Sequence, residues 1–487
     1  MRFRTTILLI LVLAGLGAYV YFVEYPHAEQ EAKKKTLFEF KADDATQVTL
    51  DYGDHKIVLK KSGDDWRITE PLDAPADATS VKNLVSAIAD CEVKRELTDA
   101  SADLSLYGLD KPFVTVSVKL RDKDLPPFMI GKNTPVGFST YVQRTDDKKI
   151  QLAGSAFRTG MDKKVKDLRD KVLIDFADND VQQLDVTGEG KQLQLVQKDD
   201  KWSIAQPAAY AADGAAVRSF LSTLRSMRAT DFPDDRPSDL GTYGLDNPQL
   251  KITLHLGKDN AEKTILLGKE NDKKEVYVQR GGQPTVYTVS DWVFRDLNKN
   301  PADFRDKTVL AFDRDKITAI ELKRKDGSHS RLVHGANKQW QVEGVEGKPA
   351  ETTITQYVTD LHDLKGYEIA ADQPADLAQF GLDQPLLTVT VLGEENKPAG
   401  TVLLSSHESD GKKEYTSMLE GGPTVFRVRD YLFTRLDKQP TDFIEKPPPP
   451  TAAPGTPAAG AAATDDEHED DGDDAGDEVN VPGAEQD

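Results

Sequence analysis

Alternating apolar and polar positions recur along this chain and predict β-strands. The alternation places every second side chain on one face, as in a strand that packs on a core. The longest runs are Phe113–Leu120, Gln249–Leu256 and Leu386–Val391. Shorter runs such as Gln47–Asp51 and Lys56–Lys60 lie before them. Tight turns between the runs favour mainly antiparallel sheets.

Other segments carry apolar residues three and four positions apart, which is the spacing of one face of an α-helix. The first set is Val81–Val93, Ala215–Met227 and Ile354–Leu364. A closing set lies near Phe157–Leu168, Trp292–Leu297 and Tyr431–Leu436. The chain is therefore predicted to have an α+β fold, with two helices for each sheet.

The same order of elements occurs three times. A nine-residue motif, Leu-x-x-aromatic-Gly-Leu-Asp-x-Pro, begins at Leu104, Leu240 and Leu377, at offsets of 136 and 137 residues. We therefore predict three tandem repeats of about 136 residues. The repeat markers are Trp66, Trp202, Trp340, Gly108, Gly244, Gly381, Asp110, Asp246, Asp383, Pro112, Pro248 and Pro385.

The repeats divide the chain into five parts. These are 1–35, with a short stub, an apolar segment and a linker; the repeats 36–171, 172–308 and 309–446; and a Pro/Ala-rich linker and acidic tail at 447–487. From Asp465 onward the tail has twelve acidic residues and no lysine or arginine. Such a block repels itself, so we expect it to be disordered.

An uncharged run from Thr5 to Val23 follows Arg2 and Arg4. Its length of roughly 28 Å as a helix is enough to cross the hydrocarbon of a bilayer. The positive-inside rule places the N-terminus in the cytoplasm and the bulk of the chain outside it. We expect a single-pass signal anchor in a bacterial inner membrane with a periplasmic body. A signal peptide cleaved near Gly15-Leu-Gly17 is the alternative.

The Gly-Leu-Asp-x-Pro part of the motif predicts a turn. Glycine ends a helical turn with positive φ, the leucine packs into the core, and the aspartate bonds to nearby backbone amides. Proline then starts an extended strand. The alternative makes Asp110, Asp246 and Asp383 ligands or acids, but a catalytic aspartate has no need of the proline.

No other pattern predicts a reactive centre. The three repeated tryptophans are predicted to lie in the core, with a stacking platform for sugars or peptides as the alternative. The eight histidines lack the spacing of a metal-binding helix. Nucleophile-elbow and phosphate-loop motifs do not occur. We therefore predict no catalytic, cofactor-binding or metal-binding residue and no enzymatic activity.

Composition narrows the range of partners. The chain has 62 basic and 83 acidic residues and a net charge of −21, which argues against nucleic-acid binding. Its one cysteine, Cys91, excludes an intramolecular disulfide and is predicted to be a buried apolar residue. Arg169 and Arg305, which end the first two repeats, are predicted to form boundary ion pairs.

The chain resembles a bacterial envelope family named domain of unknown function 4340. The resemblance lies in the single N-terminal apolar segment, in Gly-Asp-Asp-Trp-Arg-Ile followed by Pro71, in the Pro-Ala-Asp helix start at Pro75–Asp77, in Tyr-Gly-Leu-Asp-x-Pro and in Leu-Arg-Asp-Lys. The resemblance covers residues 36–446 as three consecutive units, and the third departs most, with Phe380 in place of tyrosine and Ile444-Glu445 in place of Arg-Asp. Members look like partners of ABC-type exporter components, which implies an accessory role outside the membrane. The family has no established catalytic residues to transfer.

We therefore expect a non-enzymatic, membrane-anchored periplasmic interaction protein that acts as an accessory subunit of an ABC-type exporter or another envelope complex. Its expected partners are inner-membrane proteins. Two alternatives stay open. One is a glycan- or peptide-binding module that uses the tryptophans, and the other is a cell-wall hydrolase with paired carboxylates about 5–10 Å apart beside a groove.

Overall fold

The computed structural model describes residues 35–446, apart from residues 99, 189, 258, 336–338 and 410. The predicted membrane segment Thr5–Val23 and the predicted tail at 447–487 lie outside the described residues. Within the described part, no helix combines the length and apolar character needed to cross a bilayer. The chain divides between Lys307 and Thr308 into two compact bodies, of which the first contains the first two repeats.

The first repeat forms a nine-stranded antiparallel sheet. Its strands are β1 (Ala45–Asp51), β2 (Lys56–Ser62), β3 (Asp65–Glu70), β4 (Ala74–Pro75), β5 (Arg95–Glu96), β6 (Val114–Leu120), β7 (Phe128–Asn133), β8 (Ser139–Arg144) and β9 (Ile150–Gly154). They lie in the order β4-β3-β2-β1-β6-β7-β8-β9-β5. Its helices are α1 (Ala78–Ala89), α2 (Ser155–Gly160) and α3 (Val165–Leu168).

The second repeat reproduces this sheet strand for strand. Its strands are β10 (Val181–Gly188), β11 (Lys191–Lys198), β12 (Lys201–Gln206), β13 (Tyr210–Ala211), β14 (Asp231–Asp234), β15 (Leu250–Leu256), β16 (Ala261–Glu270), β17 (Glu275–Arg280) and β18 (Val286–Ser290). Their order is β13-β12-β11-β10-β15-β16-β17-β18-β14. Its helices are α4 (Gly214–Ser226) and α5 (Asp291–Leu297).

The third repeat has eight strands in the same arrangement. They are β19 (Ala319–Arg324), β20 (His329–His334), β21 (Trp340–Glu343), β22 (Glu368–Asp372), β23 (Leu387–Leu392), β24 (Pro398–Ser409), β25 (Lys412–Leu419) and β26 (Thr424–Val428). Their order, β21-β20-β19-β23-β24-β25-β26-β22, has no counterpart of β4 among the described residues. Its helices are α6 (Glu351–His362) and α7 (Asp430–Leu436).

Each repeat has its own hydrophobic core between the sheet and its first helix. In β6 the side chains of Val114, Val116 and Val118 are buried, whereas the residues between them are partly exposed. Helix α1 contributes Val81, Leu84, Val85 and Ile88 to the same core. Burial of each such side chain contributes about 1.5–3 kcal/mol, so each sheet depends on its own helix.

The predicted mainly antiparallel α+β fold with three repeats is confirmed. One helix prediction is wrong, because the helix expected near Phe157–Leu168 is interrupted after Gly160. At the break, the hydroxyl of Tyr52 donates to the carbonyl of Met161 at 2.6 Å and accepts from the amide of Lys163 at 3.0 Å. Tyr52 thus satisfies backbone groups that a continuous helix would have paired internally.

Candidate functional site

The repeated nine-residue motif forms a short 3₁₀ turn in every repeat. Gly108, Gly244 and Gly381 end these turns in the left-handed region, with φ of 65°, 65° and 68°. The leucine after each glycine is 2% exposed, and its amide donates to the carbonyl of the first leucine of the motif at 3.0–3.1 Å. Only glycine adopts this conformation without a steric cost, so the motif is explained by the turn.

The aspartates and prolines of the motif lie at the end of this turn. Asp110, Asp246 and Asp383 are all exposed, and each belongs to a different sheet. Only Asp246 shows the predicted backbone bond among the described contacts, accepting from the Asn247 amide at 2.9 Å. Pro112, Pro248 and Pro385 are partly buried and lie just before the strands β6, β15 and β23.

A second set of aspartates, not recognised from the sequence, begins each turn. Asp103, Asp239 and Asp376 each accept a hydrogen bond from a backbone amide two residues ahead, at 2.8–3.0 Å. They immediately precede the first leucine of the motif in all three repeats, so the signal was present in the repeat alignment. A carboxylate at this position satisfies an otherwise unpaired amide of the turn.

Two further glycines explain why the turn sits against the sheet. A Cβ atom on Gly131 would overlap with the carbonyl oxygen of Tyr107, and one on Gly268 with that of Tyr243. Both glycines lie in the strand that follows the motif strand, β7 and β16. The third repeat has Ser405 at this position, so the close approach belongs to the first two repeats.

The repeated tryptophans are buried in the cores of their repeats. Trp66, Trp202 and Trp340 are 9%, 9% and 8% exposed and pack within the three main hydrophobic clusters. Their rings therefore present no open face for stacking on a ligand. The exposed indole of the described chain is that of Trp292, in α5, at 47%.

A cluster of polar side chains on the second sheet contains a histidine between two carboxylates, as some catalytic sites do. His255 Nε2 lies 2.7 Å from Asp185 Oδ2, and His255 Nδ1 lies 3.6 Å from Glu262 Oε1. Gln183 and Gln194 also donate to Asp185, each at 3.0 Å or less. The cluster lines a cleft of about 330 Å³. Its described contacts give His255 no serine, threonine or cysteine partner, which a nucleophile–base pair needs.

The other candidates for reactivity are inert or unassembled in residues 35–446 with the gaps given above. No three or more His, Cys, Asp or Glu side chains there are placed to hold a metal ion. The Cys91 side chain is buried, and burial raises the pKa of its thiol to about 12. The neutral thiol therefore predominates at physiological pH, and Cys91 acts as a packing residue.

The joint between the first two repeats is built around Arg169. Its guanidinium donates to both carboxylate oxygens of Asp235, at 2.7 and 3.1 Å, and lies over the Phe232 ring at 3.9 Å. Lys166 adds an ion pair to Asp231 at 3.2 Å. The Arg169 side chain is 8% exposed, and a cleft of about 410 Å³ lies beside it. The predicted boundary ion pair is confirmed here, in a buried and bidentate form.

The position held by Arg169 in the first repeat differs in the third repeat. This position follows Leu168, Phe304 and Phe443 in the three repeats. Arg305, the counterpart of Arg169, lies over the Tyr210 ring at 3.6 Å. In the third repeat the position holds Ile444, which packs against Gly347 so closely that a Cβ atom there would overlap with it. The third repeat thus ends in an apolar contact where the first ends in a charged fork.

The hairpin between β7 and β8 of the first repeat differs from its counterpart in the second repeat. Its tip, Thr134–Phe138, exposes Val136 by 85% and Phe138 by 87%. No other large apolar side chain of the described residues is exposed by more than 52%. The corresponding segment of the second repeat, Glu270–Glu275, is polar throughout.

A comparison with protein families identifies the repeats. The sequence model of Domain of unknown function (DUF4340) matches residues 66–206, 202–372 and 350–448, in agreement with three tandem copies. No protein with a curated description matches the chain.

Solved structures give little further information. A DNA polymerase sliding clamp from Pseudomonas aeruginosa aligns over 81% of this chain and 94% of its own at 8% identity, with a TM-score of 0.12. A DnaN sliding clamp (DNA polymerase III subunit beta) from the same organism, bound to griselimycin, gives the same values. Scores this low carry no argument about fold or function.

Proposed function

The chain belongs to the family described as Domain of unknown function (DUF4340), in three tandem copies, and from this premise we propose that it is a non-enzymatic, membrane-anchored periplasmic interaction protein. Its proposed partners are inner-membrane proteins, among them the subunits of an ABC-type exporter. In this role the described repeats present binding surfaces outside the membrane, and the N-terminal segment Thr5–Val23 holds them beside it.

One observation carries the proposal. The residues common to the three repeats are used in folding, because the glycines form turns and the tryptophans fill cores. The surfaces differ between the repeats, as the apolar tip Thr134–Phe138 and the cluster around His255 illustrate. A repeat protein that binds partners needs a common scaffold with different surfaces, whereas an enzyme needs one assembled site.

The buried fork at Arg169 adds to this support. It fixes one face of the first repeat against the second, within the same compact body. A partner that contacts both repeats then meets surfaces already held in register and loses less conformational freedom on binding.

Site-specific photo-crosslinking in native membranes tests the proposal. A photoreactive residue is placed at Leu106, Trp292 or Tyr431, which are 52%, 47% and 52% exposed. We expect at least one position to capture an inner-membrane protein. The same probe at Asp246, an exposed position of the repeated turn in the second repeat, is the control. Capture of cell-wall glycan alone, or equal capture at all positions, would count against the proposal.

A glycan- or peptide-binding module is the second candidate, favoured by the exposed Trp292 alone. Trp292 lies in α5 and is 47% exposed, and an exposed indole ring can stack on sugars. To test this function, the full chain is titrated with soluble cell-wall fragments while the indole fluorescence is monitored. A saturable change that Trp292→Ala abolishes would support this function, and no change would remove it.

A further inference from the structure

The apolar tip Thr134–Phe138 is held by the fold in an exposed position. The Thr134 hydroxyl donates to the Val136 carbonyl at 2.7 Å, and the Thr134 amide donates to the Ser139 carbonyl at 2.8 Å. The Ser155 amide donates to the Phe138 carbonyl at 3.0 Å. The backbone of the tip is therefore tied to the hairpin and to the start of α2, while its apolar side chains point to solvent.

Three basic side chains lie on or beside the strand β7 that leads to this tip. Lys94 Nζ lies 3.5 Å from the Phe138 carbonyl oxygen, and Arg158 Nε donates to the Gly131 carbonyl at 3.2 Å. Lys132 follows Gly131 and is exposed. We call Lys94, Lys132 and Arg158 the basic ring. Among the described residues none of the three forms an ion pair with a carboxylate, although the chain as a whole has a net charge of −21.

The second repeat shows what this hairpin looks like without such a surface. Its turn, between β16 and β17, contains Asp272, Lys273 and Lys274, and Lys274 forms an ion pair with Glu270 at 3.0 Å. The second repeat thus uses the same hairpin for an ordinary solvated turn. The apolar tip is therefore not required by the fold, whereas Lys132 has an equivalent in Lys269, which contacts Gly244 as Lys132 contacts Gly108.

We propose that the apolar tip of the first repeat inserts into the surface of the bilayer that anchors the chain, with the basic ring on anionic phospholipid headgroups. Exposed Phe and Val side chains next to Lys and Arg side chains that have no carboxylate partner are the combination that binds a lipid interface. Lys94 and Lys132 are the exposed cations of the basic ring, while Arg158 lies over the Phe113 ring at 3.8 Å. The inference rests on the proposed anchor. Only residues 24–34 separate the predicted membrane segment from Lys35, the first described residue. A chain of this length spans at most about 35–40 Å when it is fully extended.

The location of a label on one introduced cysteine tests the inference. Phe138→Cys in the full chain is labelled with an environment-sensitive fluorophore. The native Cys91 stays unlabelled because it is buried and its pKa is raised. The labelled protein is reconstituted into phosphatidylcholine vesicles with and without phosphatidylglycerol. We expect a blue-shifted emission that lipid-borne nitroxide quenches, and a stronger effect in the anionic vesicles.

A label at Lys273→Cys, on the matched turn of the second repeat, is the control and should report an aqueous environment. Adding Lys94→Ala or Lys132→Ala to the Phe138→Cys variant should lower the inserted-to-free ratio in anionic vesicles about fivefold for each lysine. The two lysines are exposed, so the variants are expected to fold as the parent does.

Failure of the inference is distinguishable from failure of the anchor. Resistance of the reconstituted chain to alkaline extraction reports the anchor independently of the label. An anchored chain whose label at position 138 is aqueous and unquenched would overturn the inference alone. Quenching equal to that at position 273 would also overturn it. So would a blue shift of the emission that occurs in native membranes but not in pure lipid vesicles, because that result would assign the tip to a protein partner.

Discussion

Replacement of Arg169 by alanine should loosen the joint between the first two repeats more than any exposed ion pair could. The substitution removes two charge-assisted hydrogen bonds to Asp235 and the contact with the Phe232 ring. The backbone of residue 169 would keep its own bonds, since its amide donates to the Val165 carbonyl at 3.1 Å. The perturbation is therefore confined to the side chain at the joint.

The size of the effect follows from this environment. Each hydrogen bond to a charged group contributes about 1.5–3 kcal/mol, and a cation over an aromatic ring about 0.5–2 kcal/mol. The Asp235 side chain is 40% exposed, so water solvates its carboxylate once Arg169 is gone. The summed contribution of these contacts to stability must therefore be reduced. We expect a net loss of about 2–4 kcal/mol. Arg169→Lys keeps the charge without the two-pronged geometry and should lose about 1–2 kcal/mol.

Hydrogen exchange read by mass spectrometry measures the opening of the joint directly. Both ion pairs of the joint, Lys166 with Asp231 and Arg169 with Asp235, end in the segment 231–235, so peptides covering 228–240 report on its opening. A loss of 2 kcal/mol corresponds to exchange about 30-fold faster. The matched control is Arg67→Ala, because the pair of Arg67 with Asp73 is 42% and 72% exposed at its two ends and should change exchange little.

A double-mutant cycle with Asp235→Ala decides whether the pair itself carries the effect. We expect a coupling of about 1–2 kcal/mol between the two substitutions. A coupling under about 0.5 kcal/mol would refute the reasoning, as would Arg169→Ala and Arg67→Ala with equal exchange at 228–240. In that case the ion pair would be incidental, and the two repeats would be held together by other contacts.

Three further predictions follow from the site. Gly131→Ala, which overlaps with the Tyr107 carbonyl, should lower the free energy of unfolding by about 1–3 kcal/mol in chemical denaturation, whereas Gly160→Ala, with open space around it, should not. Trp202→Ala should cost about 3–5 kcal/mol because the ring is buried, and an unchanged midpoint would contradict its place in the core. Cys91 should resist thiol reagents until the chain unfolds. Its raised pKa adds stability that is complete below pH 9.0 and lost as the pH rises towards 12, so a midpoint constant across that range would contradict its burial.

Local periodicity predicted most of the elements because each repeat builds its core from nearby segments. The predicted strand Gln249–Leu256 and helix Ala215–Met227 agree with β15 and α4 to within a residue. The interruption after Gly160 was not predictable in this way, because Tyr52, more than a hundred residues earlier, satisfies the freed backbone groups. Contacts at such sequence separation leave no trace in the spacing of apolar residues.

The candidate surfaces also combine features that local sequence predicts with features that depend on contacts between distant residues. The glycine turn could be predicted because only glycine adopts positive φ without cost, and its repetition excluded chance. Burial of Trp202 followed from its place in an alternating strand. The overlap at Gly131 and the bidentate geometry at Arg169 required the approach of two distant backbones, which a motif does not encode. The exposure of Phe138 is likewise a property of a turn, where alternation no longer assigns a face.

The third repeat has Ile444 where the first two have an arginine, so its closing segment presents no guanidinium at this position. The fork of Arg169 depends on an aspartate presented by the next repeat, so an arginine at every closing segment would offer a docking point to any further copy. At the third repeat the position is apolar and packs internally against Gly347. A further copy that met this segment would find no guanidinium for an aspartate such as Asp235, whose side chain is 40% exposed and would stay in water. The buried, bidentate ion pair is thus a property of the joint between the first two repeats, and the closing segment of the third repeat is stabilised by apolar packing instead.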